Sequence, residues 1–411
     1  MCTGYISPSN GQGVVAPKLR FSGFSEDWEL VRIGDVYAER SERGAENMDL
    51  LSVTMTDGVK MRSDIEGKDN SSEDKSNYKI VYTGDMVYNS MRMWQGASGI
   101  SPYDGIVSPA YTILKPRIPI SNGFFAALFK NERLINAFRK NSQGMTSDTW
   151  NLKYPQIETI KIHIPTVSEQ EKIAEFIALI DAKISKQRIL VDSLKKYKRG
   201  LLQQIFSRKL IMTVGDESWE YIPLGEIGCF FGGLTGKSKE DFDHGDSKFI
   251  TYMNVYKNTF ADETMVTAVD VAPNEKQNTV QYGDILFTQS SETVEEVGLS
   301  SVWVHDTTPY LNSFCMALRP RSLEKYNPYY LGYALRSPKI REAIMKEGQG
   351  ISRINLAASR IENIPIPIPP AAVQIKIADY LKKWDDRIYA NEKTLTELIS
   401  LKKAFLQSLF I

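Results

Sequence analysis

Cysteine and histidine are scarce in this 411-residue chain, with three of each: Cys2, Cys229, Cys315, His163, His244 and His305. Cysteines so few, so far apart and odd in number exclude a disulfide framework and a CxxC metal knuckle. They fit reduced thiols in a cytoplasmic protein. The scattered histidines offer no metal-ligand cluster and no Ser-His-Asp constellation. An excess of charge is also missing, because 50 basic and 50 acidic residues cancel. A protein that grips DNA alone usually carries a basic surplus. Neutrality therefore argues against a solitary DNA binder, and it leaves room for a subunit that shares DNA with basic partners. No apolar run approaches the ~18 residues of a membrane span. Residues 1–16 are Gly/Ser-rich, without the charged and apolar regions of a signal peptide, and read as a flexible tail.

What the chain does have is self-similarity at a spacing of about 204 residues. DWELVRIGDV (27–36) returns as SWEYIPLGEI (218–227), which aligns Trp28 with Trp219 and Gly34 with Gly225. YTGDMVYNS (82–90) returns as QYGDILFTQ (281–289), and ILKPR (113–117) as ALRPR (317–321). NSQGMTSDTWNL (141–152) returns, shortened, as EGQGISRINL (347–356). From Asn151 onward the register is constant. A unit this long is too large for a solenoid repeat, so the chain reads as two copies of one head, each followed by one helix.

Within each head, apolar segments rich in β-branched and aromatic residues predict strands at 49–55, 78–89 and 106–115, and again at 248–256, 279–288, 297–304 and 314–318. Short helical patterns follow at 123–140 and 328–346, then a strand-like IKIHIP or IPIPIP. The predicted fold class is α+β: two tandem mixed α/β domains, each followed by a long helix, with the two helices pairing as an antiparallel coiled coil. The expected boundaries are a tail at 1–16, a first head at 17–165, a central helix at 166–208, a second head at 209–368 and a final helix at 369–411.

The first long helix is expected to open with a capping box, Ser168 with Glu171 three residues on. The second follows Pro369-Pro370. Steps of four and three give a heptad seam of Ile173, Ile177, Ile180, Ile184, Gln187, Val191, Leu194, Lys198, Leu201 and Ile205. Its counterpart is Ile377, Leu381, Trp384, Ile388, Asn391, Leu395, Leu398, Lys402, Phe405 and Leu409. Gln187 and Asn391 share a seam position and are candidates for fixing helix register, since a seam amide trades stability for register. Either pairing direction would align them. Chain return favours antiparallel, with a head at each end of a rod of roughly 50 Å, which compares with about 34 Å for a turn of B-DNA.

Several motif look-alikes fail on spacing. GGLTGKS (232–238) lacks the first glycine of a phosphate loop, because that position is Phe231. NPYY (327–330) lacks the second proline of an amino-methyltransferase motif and reads instead as a helix cap. Asp85 and Asp284 each follow glycine in a turn between apolar segments and read as structural. EDK (73–75) has no supporting acidic partner. No catalytic residue and no metal ligand is assigned.

The tandem head–helix plan, the GDILF-type segments at Gly84–Val87 and Gly283–Phe287, the Gln143-Gly144 and Gln349-Gly350 segments, and the helix entries of the IP…EQ(E)KI type resemble the specificity subunit of type I restriction–modification enzymes. The resemblance runs from about Pro17 to the end of the chain. It implies that each head is a target-recognition domain reading one half of a bipartite site in double-stranded DNA. It also implies helices that space the halves and dock two adenine-methylating modification subunits. A motor–nuclease subunit would join for restriction. S-adenosylmethionine, ATP and Mg would belong to those partners, and none to this chain.

Base readout needs polar, basic or amide side chains on protruding loops. Candidates in the first head are Ser90, Arg92, Trp94, Gln95, Gln143, Thr146, Ser147 and Lys153. In the second they are Lys237, Tyr252, Asn254, Gln289, Ser290, Gln349, Ser352, Arg353 and Asn355. The run Lys195, Lys196, Lys198 and Arg199 reads either as a solvated helix face or as a phosphate contact between the half-sites. Two rival functions stand beside this reading: a methyltransferase or nuclease in its own right, and a duplicated scaffold that binds only protein.

Overall fold

The computed structural model describes residues 6–8, 15–44, 47–55, 57–67, 69, 71–146, 150–210 and 218–411. The chain divides into two compact units, Met1–Ile189 with Lys393–Ile411, and Leu190–Glu392. Each unit therefore holds one head, part of the first long helix (Val167–Phe206) and part of the second (Ala371–Ser408).

In the first unit the central sheet is antiparallel. Its order is Tyr37–Arg40, Tyr111–Pro116, Met86–Asn89, Ser98–Ile100. The sheet of the second unit repeats that order with Gly228–Gly232, Cys315–Pro320, Ile285–Thr288 and Ser300–Val302. A two-stranded ribbon sits beside each, Glu29–Arg32 with Lys161–Ile164 and Glu220–Pro223 with Pro365–Ile368. The duplication read from the sequence is thus a duplication of topology. The predicted helical stretches each resolve into two short helices, Asn122–Leu128 with Glu132–Asn141, and Pro328–Leu335 with Pro338–Lys346. Asn327 does cap its helix, its side chain accepting from the Tyr330 N–H at 3.0 Å.

Three local expectations are corrected. Inside the segment read as a tail, Ile6–Pro8 forms a strand antiparallel to Leu19–Phe21, which satisfies backbone groups a free tail would leave to water. The apolar run 248–256 is not one strand. Its strand, Phe242–Ile250, stops, and Thr251 caps the helix Tyr252–Lys257 by accepting the Asn254 N–H at 3.2 Å. The first long helix begins at Val167, with the Gln170 N–H donating to the Thr166 carbonyl at 2.9 Å, so Ser168 lies in the first turn and is not the cap.

The helix entry is fixed by a glutamine in both units. Gln170 accepts the Ser121 N–H and donates to the Pro165 carbonyl, both at 3.0 Å. Gln374, its repeat counterpart, accepts the Asn327 N–H and donates to the Lys325 and Pro369 carbonyls, all at 2.9 Å. Both side chains are buried, and hydrogen bonding of both the amide oxygen and the amide nitrogen is what makes that burial tolerable.

Packing explains why each unit needs both long helices. The first core gathers Trp28, Phe124, Phe125 and Phe138 around Ile173 and Ile177 from the start of one helix, Leu406 from the end of the other, and Leu409 and Phe410 just past that end. The second gathers Tyr330, Leu331, Tyr333 and Ile344 around Leu202, Ile205 and Phe206 with Ile377 and Leu381. The helices run antiparallel within each unit. In the first, Phe176 meets Phe405 at 4.9 Å between ring centroids and Asp181 pairs with Lys402. In the second, Lys195 meets Glu392 at 2.6 Å, Lys198 pairs with Asp385, and Tyr197 packs on Trp384 at 4.7 Å. The predicted seam is the shielded face of both helices, with Ile173, Ile184, Val191, Leu201, Leu381 and Leu409 buried along it. The basic run is accordingly split: Lys195 and Lys198 are engaged across helices, whereas Lys196 and Arg199 face solvent.

The two glycine–aspartate turns are structural, as their sequence context implies. Asp85 accepts the Tyr82 N–H at 3.0 Å and pairs with Arg40 at 2.7 Å. Asp284 accepts the Gln281 N–H at 2.7 Å and pairs with Arg319 at 2.7 Å.

Candidate nucleic-acid interface

Each head brings two loops side by side. In the first unit, one loop leaves the strand Met86–Asn89 and passes through a tight turn at Met93–Gln95. The other is closed by a backbone bridge between Gln143 and Asn151, with N–H to carbonyl distances of 3.0 and 2.8 Å. They join where the Leu152 N–H donates to the Ser90 carbonyl at 2.9 Å. In the second unit the Leu356 N–H donates to the Gln289 carbonyl at 2.9 Å. Gln349 and Asn355 form the same bridge at 2.9 and 2.7 Å, and Ser290–Ser291 pairs antiparallel with Ile354–Asn355. The glycine in each QG segment has a positive φ, +146° at Gly144 and +136° at Gly350. A side chain at Gly350 would place its Cβ 1.9 Å from the Arg353 carbonyl, so only glycine permits this turn.

The side chains on this frame differ between heads. In the first, Trp94 and Trp150 meet edge to face at 5.3 Å, with the Arg139 guanidinium 5.8 Å from the Trp94 ring centre. Arg92, Gln143, Thr146 and Lys153 are exposed and Trp94 and Gln95 half-buried, all available for polar or stacking contact. Ser147 lies outside the described residues. In the second head, Gln349, Ser352, Arg353 and Asn355 are exposed, and Gln289 and Ser290 are half-buried. Tyr252 stacks on Tyr256 at 6.4 Å, and burial pushes its phenol up to about 12. The Tyr256 hydroxyl donates to Glu296 at 3.1 Å, tying that helix to the loop that follows Ile285–Thr288.

Two candidates are turned inward. The Ser90 hydroxyl is buried against Thr112 at 2.8 Å, because Ser90 continues the inward face of its strand. Asn254 is fully buried and its amide is consumed: it donates to the Asp262 and Met265 carbonyls at 2.7 and 3.2 Å and accepts from the Asp262 N–H and the Asn258 amide at 2.8 and 2.9 Å. Neither can reach a base. Lys237 lies in a separate loop, ion-paired with Glu275 at 2.6 Å. Gln187 and Asn391 belong to the long helices, half-buried, and the Asn391 amide donates to the Arg387 carbonyl at 2.8 Å.

The sequence reading missed Trp150 and Arg139, which complete the aromatic cluster around Trp94. It also missed Met145 and Ile351, fully exposed apolar side chains at equivalent tips of the QG loops. Alignment of the two repeats was the available signal for that second pair. Among the described residues, no group of three or more His, Cys, Asp or Glu could hold a metal ion, and no helix is long and apolar enough to cross a membrane.

Comparison with known proteins bears on this arrangement. The family described as "Type I restriction modification DNA specificity domain" matches residues 25–191 and 216–400, once for each repeat. The type I restriction enzyme MjaVIII specificity subunit of Methanocaldococcus jannaschii is 22% identical over 413 residues, spanning 93% of this chain and 92% of that one. The EcoKI specificity subunit of Escherichia coli is 23% identical over 316 residues, 71% of this chain and 67% of that one. Among solved structures, a chain from work on complex assembly and conformational transition of the type I R-M system aligns with a TM-score of 0.60 at 17% identity, over 93% of this chain and 97% of that one. The S subunit of a type I restriction-modification system from M. genitalium aligns with a TM-score of 0.54 at 15% identity, over 96% and 99%. At these identities the structural likeness establishes the fold.

Proposed function

The chain belongs to the type I restriction modification DNA specificity domain family, and from that premise we propose that it is a non-catalytic reader of a two-part DNA sequence. Each head reads one half-site through its pair of joined loops. The paired long helices set the gap between the halves and dock two adenine-methylating modification subunits. A motor–nuclease subunit completes the complex for restriction. S-adenosylmethionine, ATP and Mg belong, in this reading, to those partners.

The observation that carries the proposal is one frame with two sets of side chains. Both heads close the QG loop with the same backbone bridge and join it to the loop after the third-ranked sheet strand by the same N–H to carbonyl bond. On that frame the first head presents Arg92, Gln95 and a tryptophan pair, and the second presents Gln289, Ser290 and Arg353. Backbone geometry positions a reader, and side chains on base edges specify the sequence. A frame kept while its side chains change suits two readers of different half-sites. A net charge of zero fits a subunit whose grip on phosphates is supplied largely by partners.

The test is methylome sequencing of a methylation-free host that expresses the chain with its cognate modification subunit, against the modification subunit alone. The expected result is a new split motif with adenine methylated in both halves. A stable complex that yields no new motif would contradict the proposal and favour the scaffold reading.

A further inference from the structure

Each head holds a half-buried cation at the junction of its two short helices. In the first, Lys130 follows Asn122–Leu128 and precedes Glu132–Asn141. Its ammonium donates to the Gly96 carbonyl at 2.5 Å and the Met55 carbonyl at 2.9 Å. Gly96 closes the tight turn of the reading loop, and Met55 follows the strand Leu51–Thr54 at the head of a hairpin. In the second head the aligned position is Arg336, between Pro328–Leu335 and Pro338–Lys346. Its guanidinium donates to the Ser300 carbonyl at 2.5 Å, just past the reading loop. It also donates to the Val255, Tyr256 and Asn258 carbonyls at 3.0, 3.2 and 2.8 Å, around the last turn of the helix that carries Tyr252.

Neither cation has an ion-pair partner among the described residues. Burial pushes the Lys130 ammonium down to about 8, with Lys402 adding to the effect and Asp57 opposing it. Burial takes Arg336 down to about 10, with Arg341 adding and Asp385 opposing. A partly desolvated charge bonded only to neutral carbonyls is unfavourable to keep for stability alone. What the position gains is geometry, since several N–H donors from one rigid point fix the carbonyls of two separate segments. Arg341 extends the device in the second head, where it donates to the Gly298, Val297 and Glu295 carbonyls at 2.5, 2.9 and 3.1 Å. The aligned residue in the first head is Ile135, whose methyl packs beside Gly96 instead.

We propose that Lys130 and Arg336 are equivalent positioning residues, Lys130 fixing the reading loop of its head directly and Arg336 fixing the start of the strand Ser300–Val302 into which that loop runs, each tying it to the helical layer and so setting base selectivity in one half-site. This rests on the function proposed above. The experiment uses the chain assembled with its modification subunits and reads the methylated motif of K130M, K130R, R336M and R336K. Discrimination at the bases of one half should fall on the order of tenfold in K130M, and in the other half in R336M, with the opposite half unchanged. K130R keeps the donors and should restore the native motif. R336K, which loses most of the carbonyl contacts, should assemble and yet discriminate less in its own half. Should either methionine variant fail to assemble, the conservative variants decide: an R336K motif identical to wild type would overturn the proposal. So would equal loss in both halves, or an unchanged motif in assembled K130M and R336M. A wild-type complex with no sequence preference would overturn the proposed function instead.

Discussion

The two heads solve one electrostatic problem in two ways. Each buries the aspartate of its glycine–aspartate turn, and each supplies an arginine, but from different strands. Asp85 takes Arg40, from the outer strand Tyr37–Arg40. Asp284 takes Arg319, from the neighbouring strand Cys315–Pro320. The register makes this an exchange of positions. Arg40 stands opposite Ile113 as Phe231 stands opposite Ala317, and Lys115 occupies the place of Arg319. Arg319 lies 5.0 Å from the Phe231 ring centre, over the residue that replaced Arg40. Both heads thus place an arginine beside that carboxylate, each from a different strand. The proposed reading loops differ more deeply. Arg92 and the Trp94–Trp150 pair mark the first head, whereas Glu292, Glu295 and Glu296 populate the corresponding loop of the second.

The exchange can be broken and rebuilt. R40F should destabilise the first head by about 3 kcal/mol, because it leaves Asp85 buried with one backbone donor. R40F/K115R, which copies the arrangement of the second head, should recover most of that loss in urea unfolding. Failure to recover would show that the two sites are not interchangeable.

A second contrast lies in pH. Lys130 has a folded value near 8, below its ordinary 10.5, so from about pH 8 to 10.5 the unfolded chain binds more protons than the folded one. Stability attributable to this site therefore rises with pH across that window and is lowest below it. Wild type should gain on K130M as pH increases from 7.5 to 9.5, followed by thermal unfolding. R336M should show no matching trend there, since Arg336 titrates only near 10. A wild-type to K130M difference that is flat with pH would contradict the buried-charge account.

The smallest contrast concerns the helix pairing. Lys198–Asp385 and Lys402–Asp181 are the same pair in the two repeats, but Lys198 is the more enclosed, with 13% of its side chain exposed against 27% for Lys402. Asp385 also accepts the Tyr333 hydroxyl at 2.6 Å. K198M should cost about 1 kcal/mol and K402M less than half of that, measured by chemical denaturation. Equal costs would remove the distinction.

Much of this architecture was legible because it depends on pattern. The repeat, the heptad seam and the turn roles of Asp85 and Asp284 follow from spacing and residue type. The errors arise where tertiary contacts decide. Asn254 has the chemistry of a base reader, yet Thr251 starts a helix that turns it into the head. Ser90 falls just past a strand end and still follows that strand inward. Lys130 and Arg336 resemble surface cations in sequence, and only their surroundings of backbone carbonyls set them apart. Helix entry was displaced because a buried glutamine, rather than a serine cap, anchors it.

The most direct test of two independent readers is the methylated motif of the assembled complex carrying R92A/Q95A, compared with wild type. Arg92 is exposed and Gln95 half-buried on the reading loop, so the double change should leave assembly intact. The proposed function predicts altered bases in one half of the motif, with the other half and the gap preserved. Change in both halves, or in neither, would contradict it.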